Sequence, residues 1–248
     1  ADDQLGEVFA HDIRAAGVHY EPNPVTDPQG TARCLVLVTP DAQRTLNTHL
    51  GVSARLGPGD IDRALVASTR VLYCEGYLWD EPSAKDALVL AMDTARAAGA
   101  KVAFTLSDAF CVDRHRADFL ELAEHRVDIL FANEAELLSL YETDSWEAAA
   151  DRVAGHCEVA CLTRSELGSV IITADGRRLR IEPILHGEVV DTTGAGDLYA
   201  AGFLYGYTAG LPLAEAGRLA SLAAGEVISH VGARPEADLA ALAGLAGR

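Results

Sequence analysis

Apolar positions recur along this chain with two different periods, and the period changes by region. Over residues 3–16 (DQLGEVFAHDIRAA) Leu5, Val8, Phe9 and Ile13 fall on one helical face, so the pattern predicts an amphipathic helix ending near Gly17, with a strand directly after it. Residues 31–38 (TARCLVLV) are β-rich, Pro40-Asp41-Ala42-Gln43 marks a turn, and Arg44 to Leu50 returns as a second strand. This hairpin interrupts an otherwise alternating chain and is the candidate lid or edge element, spanning about residues 18–52.

After Gly57-Pro58-Gly59 strands and helices alternate: strand 71–78, helix 82–98, strand 101–107, helix 112–125, strand 128–132, helix 145–156 and strand 159–163. A hairpin over 168–183 turns at Asp175-Gly176, and helices are expected at 195–208, 213–230 and 236–246. Such alternation predicts an α/β fold with a mostly parallel central sheet and crossover helices on its faces, here as one domain over 1–248. In sheets of this kind the C-terminal strand ends carry the chemistry.

Composition narrows the partners. With 248 residues, 49% of them apolar, the chain can bury a large core. A formal charge of −17 opposes nucleic acid or an anionic membrane as partner, and no run of about eighteen apolar residues occurs. Only Lys85 and Lys101 supply ammonium groups, which leaves arginine, Mg²⁺ and backbone N–H groups to bind phosphate. Five cysteines, odd in number and without a C-x-x-C pair, fit reduced thiols and a cytoplasmic location. The chain begins at Ala1 and its single methionine is Met92, so translation is expected to start upstream.

One run carries chemistry directly: Asp191-Thr192-Thr193-Gly194-Ala195-Gly196-Asp197, followed by an apolar helical segment. Geometry alone leaves two readings open. It is a Gly-rich turn with Asp197 as an acid in the first helical turn, or it is an anion cradle with its own carboxylate. No Gly-Lys pair exists for a P-loop, and Tyr199 stands where a dinucleotide fingerprint wants glycine.

The run resembles the second signature of the ribokinase-like, or PfkB, family of carbohydrate and nucleoside kinases. Companions follow in the family's order. Asn133-Glu134-Ala135-Glu136 resembles its N-x-x-E element, and Thr163-Arg164-Ser165-Glu166-Leu167-Gly168 resembles its T-x-G-x-x-G nucleotide segment, with Ser165 in place of a glycine. Gly232-Ala233-Arg234-Pro235 closes the set. The segments at 73–78, 105–110 and 127–134 are most similar to the adenosine kinase branch.

The resemblance implies a three-layer ribokinase-like fold with a small β lid, and ATP-dependent transfer to the 5′-hydroxyl of a nucleoside, adenosine foremost. It implies Asp197 as base, with Gly194, Ala195 and Gly196 cradling the transferred phosphoryl group and Arg44 near it. Asn133 and Glu136 would hold Mg²⁺ through waters; Thr163, Gly168, Thr192, Ser221 and Gly225 would line the nucleotide; Asp191 and Thr193 would hold a monovalent cation, K⁺. Tyr77 and Phe110 would face the base.

Each assignment has a structural counterpart: a helix start for Asn133 and Glu136, close helix packing for Ser221 and Gly225, core positions for Tyr77 and Phe110, a solvated edge charge for Arg44. A sugar kinase and a non-catalytic ligand-binding relative stay open as alternatives, as does a homodimer through the lid. The family's opening strand, with an aspartate for the sugar hydroxyls, and its Gly-Gly-x-x-x-Asn region are not present after Ala1.

Overall fold

The computed structural model describes residues 1–245. The chain opens with helix α1 (Gln4–Ala15), capped by Asp3, whose side chain accepts from the Gly6 N–H at 2.8 Å. No regular element follows until β1 (Arg33–Val38), so the strand expected directly after Gly17 is not formed; residues 21–28 (EPNPVTDP) hold three prolines, which cannot donate to a ladder. Strand β2 (Arg44–His49) pairs antiparallel with β1 in a separate two-stranded sheet. That sheet stands where the lid was expected.

A short helix α2 (Arg63–Ser68), for which the pattern gave no signal, leads into β3 (Val71–Glu75). The strand expected over 71–78 stops at Glu75, and Gly76–Asp80 forms a 3-10 turn. Then come α3 (Pro82–Ala97), β4 (Lys101–Thr105), α4 (Ala109–His125), β5 (Ile129–Asn133), α5 (Glu134–Tyr141), α6 (Trp146–Val153) and β6 (Val159–Thr163). Helix α4 starts earlier than its apolar pattern because Asp108 caps it, accepting from the Cys111 N–H at 2.6 Å. The hairpin β7 (Ser169–Thr173) and β8 (Arg178–Ile181) turns at Asp175-Gly176 as expected.

Three helices end the described residues: α7 (Ala195–Thr208), α8 (Leu213–Val227) and α9 (Leu239–Leu242). The last is a single turn where a helix over 236–246 was expected; residue 246 lies outside the described residues.

The large sheet runs β3-β4-β5-β6-β7-β8, parallel through β6 and antiparallel in its last two pairings. Alternation along the strands sorts the core into two layers. Phe104, Leu130 and Leu162 face α3 to α6 with Met92, Phe119 and Leu140. Ala103, Phe131 and Cys161 face α7 and α8 with Tyr199, Phe203 and Ala220. This is the α/β arrangement that the residue pattern predicts, in the three layers that the resemblance implies.

Small residues let α7 and α8 touch. A Cβ on Gly202 would lie 2.7 Å from the Leu219 carbonyl, and one on Gly206 would lie 2.7 Å from Ala216 Cα. Among the described residues no helix is long and apolar enough to cross a membrane.

Candidate active site

Parallel strands β3 to β6 bring Glu75, Thr105, Asn133 and Thr163 to one edge of the sheet. The N-terminus of α7 adds Gly194, Ala195, Gly196 and Asp197. Gly194 caps that helix at φ +81, and a Cβ there would sit 3.0 Å from Ala233, so both the turn and the close approach require glycine. Nothing lies within 4 Å of where a Cβ on Gly196 would be. Its N–H is a helix-start donor, the Ala195 N–H donates weakly to the Thr192 carbonyl at 3.3 Å, and the exposed Asp197 carboxylate lies in the same turn. Such a corner can hold an anion while presenting a base to a neighbouring hydroxyl.

Asp191 fastens the loop before this corner. Its buried carboxylate accepts from the Thr193 N–H (2.9 Å), the Thr193 hydroxyl (2.6 Å) and the Gly232 N–H (3.0 Å). Burial opposes its charge, but these donors and the Arg44 guanidinium outweigh it and hold its pKa below the ordinary value. Asp191 and Thr193, expected to hold a monovalent cation, are brought together here by closing the loop. Arg44 reaches from β2 to donate to the Thr192 hydroxyl, which ties the small sheet to the same loop.

Asn133 and Glu136 form a reciprocal cap at the start of α5. The Asn133 side chain accepts from the Glu136 N–H (2.9 Å), and Glu136 accepts from the Asn133 N–H (3.0 Å) and side-chain amide (2.6 Å). Burial pushes the Glu136 pKa up to about 7, against the Asn133 N–H and assisted by Asp108. The helix-start reading is therefore observed.

On β6, Thr163 pairs with Asn133, and the loop beyond it needs unusual backbone. Gly168 has φ +77, and a Cβ there would lie 2.2 Å from the Ile181 carbonyl. Ser165, where the family pattern has glycine, takes φ +48, a left-handed conformation that costs a side chain energy. Arg164 forks onto Glu134 (2.8 and 3.1 Å) and lies 4.1 Å over the Trp146 ring, bracing the segment.

Ser221 and Gly225 follow packing closely. The Ser221 hydroxyl donates to the Glu182 carbonyl (2.9 Å) and accepts from the Ile184 N–H (3.0 Å), and a Cβ on Gly225 would overlap the Ile184 carbonyl at 1.6 Å. The opposite holds for the aromatic pair. Tyr77 is 51% and Phe110 75% exposed, so neither is a core residue. Tyr77 is held by its N–H to the Ser107 hydroxyl (3.2 Å) and its own hydroxyl to the Ser107 carbonyl (3.3 Å). Ser107 itself adopts φ +72.

Sequence reasoning missed Glu75 and Tyr73. Burial, then the Asp197 charge, raise the Glu75 pKa, which places two carboxylates near each other at the sheet edge. Burial, followed by the Glu75 and Asp197 charges, raises the Tyr73 pKa against a hydrogen bond with Thr105. An acid ending an otherwise uncharged strand, VLYCE, was the available signal. Asp80, Cys111 and His115 also converge, but Arg114 and His115 already occupy the Asp80 carboxylate, and burial and Asp80 push the Cys111 thiol up to about 11.

A six-stranded, mostly parallel sheet with a glycine-capped helix start and an acid at its edge is an arrangement suited to phosphoryl transfer onto an alcohol. The sequence matches the pfkB family of carbohydrate kinases over residues 1–239, and the chain belongs to that family.

Adenosine kinase from Sinorhizobium meliloti superimposes with TM-score 0.96 at 50% identity, covering 100% of this chain and 76% of that one. A "probable sugar kinase protein" from Rhizobium etli CFN 42 gives TM-score 0.95 at 50% identity, covering 99% and 75%. A 5-dehydro-2-deoxygluconokinase from Geobacillus thermodenitrificans (strain NG80-2) is 25% identical over 241 residues, 92% of this chain and 71% of that protein. Like these relatives, the chain has a ribokinase-like fold.

Proposed function

We propose that the protein is an ATP-dependent nucleoside kinase that phosphorylates a 5′-hydroxyl, with adenosine as the leading acceptor. The observation that carries the nucleoside reading is the exposed aromatic pair, Tyr77 and Phe110, following β3 and opening α4. An aromatic wall left open to solvent suits a flat base, which gains by stacking. Half of the residues are identical to those of a protein titled adenosine kinase across the whole chain. Equal identity to the Rhizobium etli protein keeps a sugar acceptor as the second reading.

In this mechanism Asp197 accepts the proton of the attacking hydroxyl. The Ala195 and Gly196 N–H groups, with the dipole of α7 behind them, hold the charge developing on the transferred group, and Arg44 adds a mobile cation from the small sheet. A loose phosphoryl-transfer transition state needs little early deprotonation, so an acid at a helix N-terminus serves as base through position.

Thr163, Gly168, Thr192, Ser221 and Gly225 border the nucleotide, the last two by shaping the 182–185 segment that α8 packs against. Each Glu136 oxygen accepts once from Asn133 and keeps a second lone pair, so the pair fits a hydrated Mg²⁺ held through waters. When bound, Mg²⁺ neutralises the nucleotide phosphates. Beside Asp197, Glu75 has the raised pKa of an acid able to share a proton with the acceptor.

Five free cysteines, four of them buried, accord with a cytoplasmic location, and the exposed apolar residues of the lid give a surface on which a second copy can dock.

ATP consumption assayed with adenosine, ribose and fructose tests the acceptor. Adenosine-dependent turnover supports the nucleoside reading; turnover with ribose or fructose alone replaces it with the sugar one. Asp197→Asn should lose about 10²–10⁴-fold in kcat while still binding nucleotide. A protein with no turnover on any acceptor and unchanged nucleotide binding in Asp197→Asn would instead be a non-catalytic relative.

A further inference from the structure

Residues 230–237 form a strap that crosses the phosphate corner, and it is fastened at both ends by buried acids. At its front, the Gly232 N–H donates to Asp191 at 3.0 Å. At its back, Glu226, buried in the last turn of α8, accepts from the Glu236 N–H at 2.9 Å and the Ala237 N–H at 2.8 Å through one oxygen. Between the two fastenings Ala233 lies against Gly194, the cap of α7, so closely that a Cβ on that glycine would come within 3.0 Å of it.

The position of Glu226 is costly on elementary grounds. A carboxylate at a helix C-terminus opposes the dipole, and burial removes its water. Among the described residues its Oε2 and the His230 Nε2 are the buried side-chain polar atoms without a hydrogen-bond partner. His230 offsets part of the cost, since its Nε2 lies 3.4 Å from Glu226 Oε1 and its Nδ1 lies 3.9 Å from Glu236. Burial opposes the imidazolium, yet the Val231 carbonyl and the Glu226 and Glu236 carboxylates raise its pKa overall. An acid kept in so unfavourable a place must gain through the two strap amides it holds.

We infer that Glu226 is a positioning residue for phosphoryl transfer. It anchors the back of the 230–237 strap, the strap presses Ala233 onto Gly194, and that contact sets the direction of the Ala195 and Gly196 N–H groups. This rests on the reading of residues 194–197 as the phosphoryl cradle. A displacement of about 1 Å at such a site costs up to about 10²-fold in rate although no reacting group is touched.

The test compares wild type, Glu226→Ala, Glu226→Gln and Asp197→Asn in hydrogen exchange without substrate, and in ATP turnover with whichever of adenosine, ribose or fructose reacts fastest. Glu226→Ala should speed exchange about tenfold at 232–237 and also at 190–197, and lower kcat about 10–100-fold with the acceptor KM within about twofold. Glu226→Gln retains a carbonyl oxygen for the two amides and should recover most of both losses.

Faster exchange at 232–237 with unchanged exchange at 190–197, or an unchanged kcat in Glu226→Ala, overturns the inference. Should Glu226→Ala fail to fold, Ala233→Gly, which removes only the methyl group on Gly194, takes its place with the same expectations. Full turnover in Asp197→Asn together with the predicted exchange changes would instead remove the cradle reading and leave the mechanical coupling standing.

Discussion

The two sheets of this protein are built on opposite terms. The central pairings of the large sheet are covered on both faces, with Phe104 and Leu130 inward to one layer of helices and Phe131 and Cys161 to the other. In the small sheet the alternating apolar residues have nothing to pack on: Leu35 is 70% and Leu37 63% exposed, and almost all of both strands is open to solvent. Its hold on the rest of the phosphate corner is a single long side chain, Arg44 on Thr192. The large sheet therefore supplies rigidity and fixes Asp197, whereas the small one supplies a charge on a movable arm.

That contrast can be broken at four points. The largest effect is expected in the core: Phe104→Ala should lower unfolding free energy by about 3–5 kcal/mol in denaturant titration, because its neighbours Trp79 and Phe119 are themselves edge-packed and cannot close the cavity. Leu37→Ser in the small sheet should change stability by no more than about 0.5 kcal/mol in the same measurement. A core-sized loss there would show that the small sheet is packed in solution.

Arg44→Ala should reverse the order, leaving unfolding almost untouched while kcat falls about 10–100-fold, the worth of one charged hydrogen bond. Equal losses in stability and kcat would make Arg44 a structural tie. A similarly small effect, of opposite sign, is expected for Ser165→Gly, which relieves a left-handed side chain but loosens the unfolded chain, for a net gain of about 0.5 kcal/mol in thermal or chemical unfolding.

Elements whose residues have one dominant period were legible in advance. Strand 159–163 and helix 195–208 are found at their expected limits, because each is bounded by a break that the residues themselves impose. Errors occur where a local device overrides periodicity. The β3 strand stops at Glu75, where Gly76 passes so close to the Leu106 carbonyl and the Phe119 ring that a Cβ there would lie 3.0 Å from each, a long-range contact that no window of sequence contains. Helix α4 begins three residues before its expected start because Asp108 caps it, and the strand expected after Gly17 runs into prolines that cannot join a ladder.

The site divides in the same way. Asp197 and its glycines are contiguous and could be read as a unit. Glu75 and Glu226 act only through partners more than one hundred and about ten residues away, respectively, as the Asp197 charge on Glu75 and the Glu236 and Ala237 amides on Glu226 show. The tie that Asn133 and Glu136 make was visible as a spacing, but its geometry as a mutual cap was not.

The order of strands in the large sheet carries a last consequence, for how the molecule is made. From β3 to β8 each strand lies beside the one that precedes it in the chain, so the sheet can grow one strand at a time during synthesis. The face bearing Ile129, Phe131 and Ile171 stays bare until α7 and α8 emerge to cover it. The first turn of α7 and the segment behind α8 are thus placed late in synthesis, and a nascent chain interrupted before residue 195 holds the strands β3 to β8 without the corner proposed to bind phosphate.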